Sequence, residues 1–188
     1  MRTYLIEKET KIPGQSTLKS EENLYHYIDS YHGWLTIAGD NTSLKECTKL
    51  FISAGPKWVD FLMFVRDKVV GLFGLKTSGQ ITDQDKHIDN IKMEVGEQLG
   101  IFELVAKTEN EIIIGGDDKH LNFRVSLYLE PLTDATPKRE LIITTCVKFN
   151  NLFGKLYFIP VKPFHGIIVY RTLKNIIKEL ESKSKTNM

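Results

Sequence analysis

Five polar side chains of types that do chemistry fall within one short stretch: Asp117, Asp118, His120, Asn122 and Arg124. A guanidinium clamps a carboxylate or phosphate through paired N–H donors, and an imidazole exchanges a proton near neutral pH. The plainer account is a turn, Gly116-Asp-Asp-Lys119, followed by the water-facing side of a half-buried strand. Alternation alone puts His120, Asn122, Arg124, Ser126 and Tyr128 on one face and Leu121, Phe123, Val125, Leu127 and Leu129 on the other. Asp117, Asp118 and His120 are metal-ligand types, but three donors on one turn close no coordination shell without help from elsewhere. No metal is therefore expected, and no cofactor. His165 follows Pro163 at what reads as the start of a helix, where it serves either as a base or ligand donor or as a tie between helix and sheet. Glu103 interrupts the apolar positions Leu99, Ile101 and Val105. It points either at a cavity, where a carboxyl can do acid–base work, or outward. His26 and His32 share a strand with Ile28, on one face if that strand is regular, and Gly33 reads as a bulge position. No Ser-His-Asp order, activated cysteine or phosphate-binding glycine loop stands out.

A second group is apolar. Trp58, Phe61, Leu62, Val65, Phe102, Phe123, Tyr157, His165 and Val169 are the candidates to line a ligand cavity. Plain core and a dimer contact are the competing accounts of the same side chains.

The elements that must position these groups follow from periodicity and punctuation. Residues 1–22 form a polar arm or edge element, 23–182 one domain, and 183–188 a tail. Residues 23–37 read as a strand. Ser43-Leu-Lys-Glu46 has the spacing of a capping box, so a helix runs over 44–53, and a second, unusually apolar one over 56–73. Residues 76–98 read as a long loop. From 99 the period becomes two: strands over 99–107, 111–115, 120–130, 139–149 and 152–161 are separated by turns at Thr108-Glu-Asn110, Gly116–Lys119 and Asn150-Asn151. Pro163 then opens a helix to about 182, with Val169, Leu173, Ile176 and Leu180 as its apolar stripe, thickened by Ile177 and Tyr170. Short turns make the strands antiparallel, and the last helix covers one face of the sheet. The fold class is α+β.

Composition narrows the function classes. Lys and Arg number 25 against 24 Asp and Glu, so neither nucleic acid nor an anionic membrane is expected as the main partner, though a local basic patch remains open. Cys47 and Cys146 are too far apart in sequence to suggest a disulfide framework or zinc site and read as buried small side chains. The charged start, Met1-Arg-Thr-Tyr-Leu-Ile-Glu7, is unlike a secretory signal, and Trp58 to Val65 is too short to span a bilayer. A cytoplasmic protein without a membrane span is expected.

Two stretches carry a resemblance. Glu111-Ile-Ile-Ile-Gly-Gly-Asp-Asp-Lys-His-Leu-Asn-Phe-Arg-Val-Ser-Leu127 and Asn150-Asn-Leu-Phe-Gly-Lys-Leu-Tyr-Phe-Ile-Pro-Val-Lys-Pro-Phe-His-Gly-Ile-Ile-Val169 resemble the central and carboxyl-terminal signatures of an uncharacterised bacterial family, domain of unknown function 2867. Leu99-Gly-Ile-Phe102 and Pro56-Lys-Trp58 fit weaker points of the pattern. The resemblance implies the helix-grip fold of the Bet v 1-like (START-related) superfamily. That means a curved antiparallel sheet of about six to seven strands, two short helices after the first strand, and a long carboxyl-terminal helix packed on the sheet over an apolar cavity. It implies no activity. Some relatives carry a fused short-chain-dehydrogenase-like domain; this chain has no Gly-x-Gly-x-x-Gly and no dinucleotide site is expected.

Three expectations follow. The first is a binding module for a small apolar molecule held between sheet and last helix. The second is a cyclase- or lyase-like enzyme of the same fold, using His165, Arg124 and Glu103. The third is an interaction or regulatory partner of a short-chain-dehydrogenase-like protein. A homodimer is compatible with each.

Overall fold

The computed structural model describes residues 4–36, 42–53, 92–99, 102–132 and 138–186. In chain order these form β1 (Ile6–Glu9), a 3-10 helix (Thr17–Leu24), β2 (Tyr27–Thr36), α1 (Leu44–Ser53), β3 (Gln98–Leu99), β4 (Phe102–Lys107), β5 (Glu111–Asp117), β6 (Leu121–Leu129), β7 (Lys138–Phe149) and α2 (Leu152–Thr186). The strands make one seven-stranded sheet in the order β1-β2-β7-β6-β5-β4-β3, antiparallel throughout. The molecule is thus α+β, an open sheet with a long carboxyl-terminal helix.

Register sorts the side chains onto two faces. One row runs Asp29, Thr145, Val125, Ile114, Leu104; the next runs Tyr31, Ile143, Leu127, Ile112. These face α2, whose Val169, Leu173, Ile176, Ile177 and Leu180 complete the main core. Tyr170, expected in that stripe, lies outside it and is exposed. The opposite, outer face carries Ile28, Cys146 and Ile113 and is covered in part by Ile12 and Leu18 of the amino-terminal segment.

Residues 1–22 include an edge element: β1 pairs with β2, and the chain then crosses the outer face. Its anchor is Glu111, 1% exposed, which no reading of the sequence singles out. The carboxylate accepts hydrogen bonds from Ser16 Oγ (2.5 Å), Thr17 N (2.8 Å), Thr17 Oγ1 (2.7 Å) and Ser126 Oγ (2.5 Å). A buried carboxyl group needs such a set of hydrogen bonds. Ser126, expected on a solvated face, is therefore buried.

Several expectations are corrected. Residues 152–161 are helical, not a strand, and α2 continues through Pro160 and Pro163 rather than starting at Pro163. Asn151 caps this helix, its Oδ1 accepting from Gly154 N (3.0 Å). Each proline frees the carbonyl four residues earlier, at Leu156 and Ile159, and those residues lie on the exposed side where water can bond them. Gly33 is no bulge, since β2 pairs with β7 without a register shift. It admits α2 instead: a Cβ there would meet Ile177 Cδ1 at 2.5 Å. The irregularity falls between Leu104 and Ala106. The run 99–107 is divided between β3 and β4, which pair with each other. At the start of α1 the Ser43 hydroxyl accepts from Glu46 N (3.1 Å). The helix predicted over 56–73 and most of the loop predicted over 76–98 lie outside the described residues.

Candidate functional site

The β2 strand places Tyr27, Asp29 and Tyr31 on the inner face at alternate positions. β1 adds Lys8, directly opposite Tyr31. Above them passes the first half of α2, contributing Lys162, Pro163, His165, Gly166, Ile167 and Tyr170. Between strand edge and helix lies an open cleft of about 620 Å³, walled by Ile6, Lys8, Tyr27, Tyr31, Lys162, Pro163 and Ile167 among others. Gly166 lets the walls close up, because a Cβ there would sit 2.9 Å from Tyr31 Oη.

Asp29 lies behind this cleft and is 1% exposed. The Tyr27 hydroxyl donates to its Oδ2 (2.6 Å), Lys8 Nζ stands 3.5 Å from the same oxygen, and His165 Nε2 lies 3.4 Å from Oδ1. Burial alone would raise the Asp29 carboxyl above the usual range. The hydrogen bond and charge of His165, the Tyr27 hydroxyl and the Lys8 ammonium outweigh it, so the net shift is downward and Asp29 is a carboxylate. The Lys8 ammonium is opposed by burial but held by Tyr31 and Asp29, and its pKa rises. Burial, then the Asp29 carboxylate, pushes the Tyr27 phenol upward, so it stays a donor. The opposite strand position to Asp29 is Thr145, whose buried Oγ1 makes no hydrogen bond among the described residues.

Two cations are displayed at this cleft over aromatic faces. Lys8 Nζ lies 5.0 Å from the centre of the Tyr31 ring and Lys162 Nζ 5.3 Å from that of Tyr27. The chemistry on offer is two ammonium groups, phenol hydroxyls and apolar walls, backed by the buried Asp29 and its half-buried partner His165.

The proposed catalytic trio is not brought together. His165 is under the inner face with Asp29. Arg124 and Glu103 lie in one row across the outer face, separated by Gly115. Arg124 is committed to Asp117 through two bonds of 2.6 and 3.1 Å, and Glu103 is exposed. The sheet stands between the two groups, because strand alternation sends neighbouring positions to opposite faces. Of the apolar candidates, Phe102 and Phe123 pack against the main core, edge to face at 5.9 Å, and Val169 is buried within it. Tyr157 is half-buried on α2. Trp58, Phe61, Leu62 and Val65 lie outside the described residues. His120 ties the β5–β6 turn to α2, its ring packed at a tilt against Phe153 (centroids 4.7 Å apart) with its Nδ1 3.2 Å from Asn151 Oδ1. No His, Cys, Asp and Glu cluster fit to hold a metal occurs among the described residues.

Tyr27, Asp29, Tyr31 and Lys8 were missed by sequence reasoning. A signal existed: Tyr27, Asp29, Tyr31, Gly33 and Leu35 alternate, so a carboxylate stands on a strand face otherwise fit for burial. Lys8 carried none, because only pairing of β1 with β2 places it.

The model of the family described as protein of unknown function (DUF2867) matches residues 23–172. The chain belongs to that family. No curated protein and no solved structure matches the chain. In this DUF2867 protein the matched span takes in Tyr27, Asp29, Tyr31, Lys162 and His165 but not Lys8.

Proposed function

We propose that this DUF2867 protein binds a small amphiphilic molecule in the cleft between β1–β2 and α2, with an apolar body and an anionic group. The reading is carried by the pair of ammonium groups, Lys8 and Lys162, held over tyrosine rings beside Ile6, Pro163 and Ile167. An anion gains charge-assisted bonds there, and the apolar body is removed from water on the walls. The order of the sheet, with the long helix on its inner face, supports a helix-grip fold. The ligand position differs from an enclosed cavity along the whole helix: Leu173, Ile176 and Ile177 are completely buried, so the carboxyl-terminal half of α2 leaves room for nothing. Opening is confined to the amino-terminal half.

A second reading, acid–base catalysis at the same cleft, draws on one observation. Asp29 is positioned to orient the His165 ring, and the orphan Thr145 hydroxyl is its cross-strand neighbour. Arg124 and Glu103 have no part in it.

The test is native mass spectrometry of the full chain, with titration of an anionic aromatic probe such as anilinonaphthalene sulfonate. An extra mass that leaves on denaturation, or saturable probe binding, is expected, and either should weaken in Lys162→Gln. A bare mass together with no saturable binding would remove the proposal.

A further inference from the structure

The carboxyl-terminal half of α2 is built into the core, but the other half turns an apolar face to water. Leu152, Leu156, Ile159, Pro163, Ile167 and Tyr170 recur at intervals of three or four, so they form one stripe, opposite the buried Gly154, Phe158 and Val169. Leu152 is 70% exposed, Leu156 56% and Ile159 62%. By length and composition alone α2 is long and apolar enough to cross a membrane, and 17% of its most apolar window is buried. A span over residues 152–169 would have to pull Phe158 and Val169 out of their packing, so the stripe lies along a surface rather than through one.

Charge identifies the surface. Along α2 from Leu152 through Lys178 there is no Asp or Glu, while Lys155, Lys162, Arg171, Lys174 and Lys178 all occur, in a chain with 25 basic and 24 acidic residues overall. We propose that this face of α2 docks on an anionic lipid surface, its apolar stripe at the headgroup–acyl boundary and its lysines among the phosphates. A second copy of the chain fits less well. Two copies of one patch meeting about a twofold axis would bring lysines against lysines.

The test uses the full chain with vesicles of phosphatidylcholine alone and of phosphatidylcholine mixed with phosphatidylglycerol. Co-sedimentation is expected with the mixed vesicles only, and it should fall as added salt shortens the screening length. Ile159→Asp should abolish it. Lys155→Gln should weaken it about fivefold, the effect of one surface cation. Both positions are exposed, so the thermal unfolding curve should not move. Failure to bind any vesicle, or equal binding to both compositions, overturns the proposal. So does a concentration-dependent dimer in light scattering that Ile159→Asp dissolves, which assigns the face to a second copy instead.

Discussion

Replacing Asp29 by Asn tests the electrostatic account of the cleft, because burial and attraction oppose each other there. Burial at 1% exposure penalises a charge, and a neutral isostere would relieve that penalty. Against it stand the Tyr27 hydroxyl at 2.6 Å, Lys8 at 3.5 Å and His165 at 3.4 Å, each of which favours the charged form. The net downward shift of the carboxyl decides the sign: the attractions win, so Asn must destabilise the fold at neutral pH. One hydrogen bond to a charged acceptor is worth about 1.5–3 kcal/mol and becomes an ordinary bond of about 1 kcal/mol, while the pairing with Lys8 is lost outright. A loss of about 1–3 kcal/mol is expected. With a urea slope of about 2 kcal/mol per molar, the unfolding midpoint should fall by roughly 0.5–1.5 M. A depressed carboxyl contributes stability above its unfolded pKa of about 3.9 and loses it as pH falls through the folded value. The gap between wild type and Asp29→Asn should therefore be full at pH 7 and close progressively in acid. Urea unfolding at several pH values measures this. A variant as stable as wild type at pH 7, or a gap that stays constant in acid, would refute the reasoning.

Glu111→Leu should cost about 2–4 kcal/mol, because the Thr17 N–H and the hydroxyls of Ser16, Thr17 and Ser126 would lose their buried acceptor; hydrogen exchange should quicken first over residues 10–24. Gly33→Ala should destabilise by about 1–3 kcal/mol through overpacking against Ile177. Combining it with Ile177→Val, which removes the offending Cδ1, should recover part of that loss in thermal melts. The His32 pKa is raised, chiefly by its 2.9 Å bond to Glu140 against the opposing effect of burial. Its stabilisation is thus present below about pH 6.5 and lost as pH rises through the folded pKa; His32→Gln should flatten that slope in melts taken from pH 6 to 8.

Elements whose signal is local were legible. Alternation over Leu121–Leu129, the turns beside it and the Ser43 cap are read from neighbours in sequence and recur in the structure. The error at 152–161 has a definite cause. Leu152, Tyr157, Phe158 and Ile159 are apolar or strand-favouring, and Pro163 is a common first residue of a helix. Packing of Phe158 on Phe149 and Tyr27, with the Asn151 cap, outweighed both signals. The trio His165, Arg124 and Glu103 is divided between the two faces of the sheet for a different reason. Residue types suggest chemistry, but which face of the sheet each occupies depends on registry.

The sequence by itself determined the α+β class, the antiparallel strands through the middle of the chain, the buried stripe at the end of α2 and membership of the DUF2867 family. Each depends on spacing along one segment. Tertiary structure alone decided that Lys8 stands beside Tyr31, that His165 meets Asp29 across 136 positions, and that Glu111 anchors the amino-terminal segment. These pairings join residues far apart in the chain, and no local period encodes them. Where burial and charge compete, as at Asp29, the outcome rests on distances of a few ångströms that only the folded chain sets.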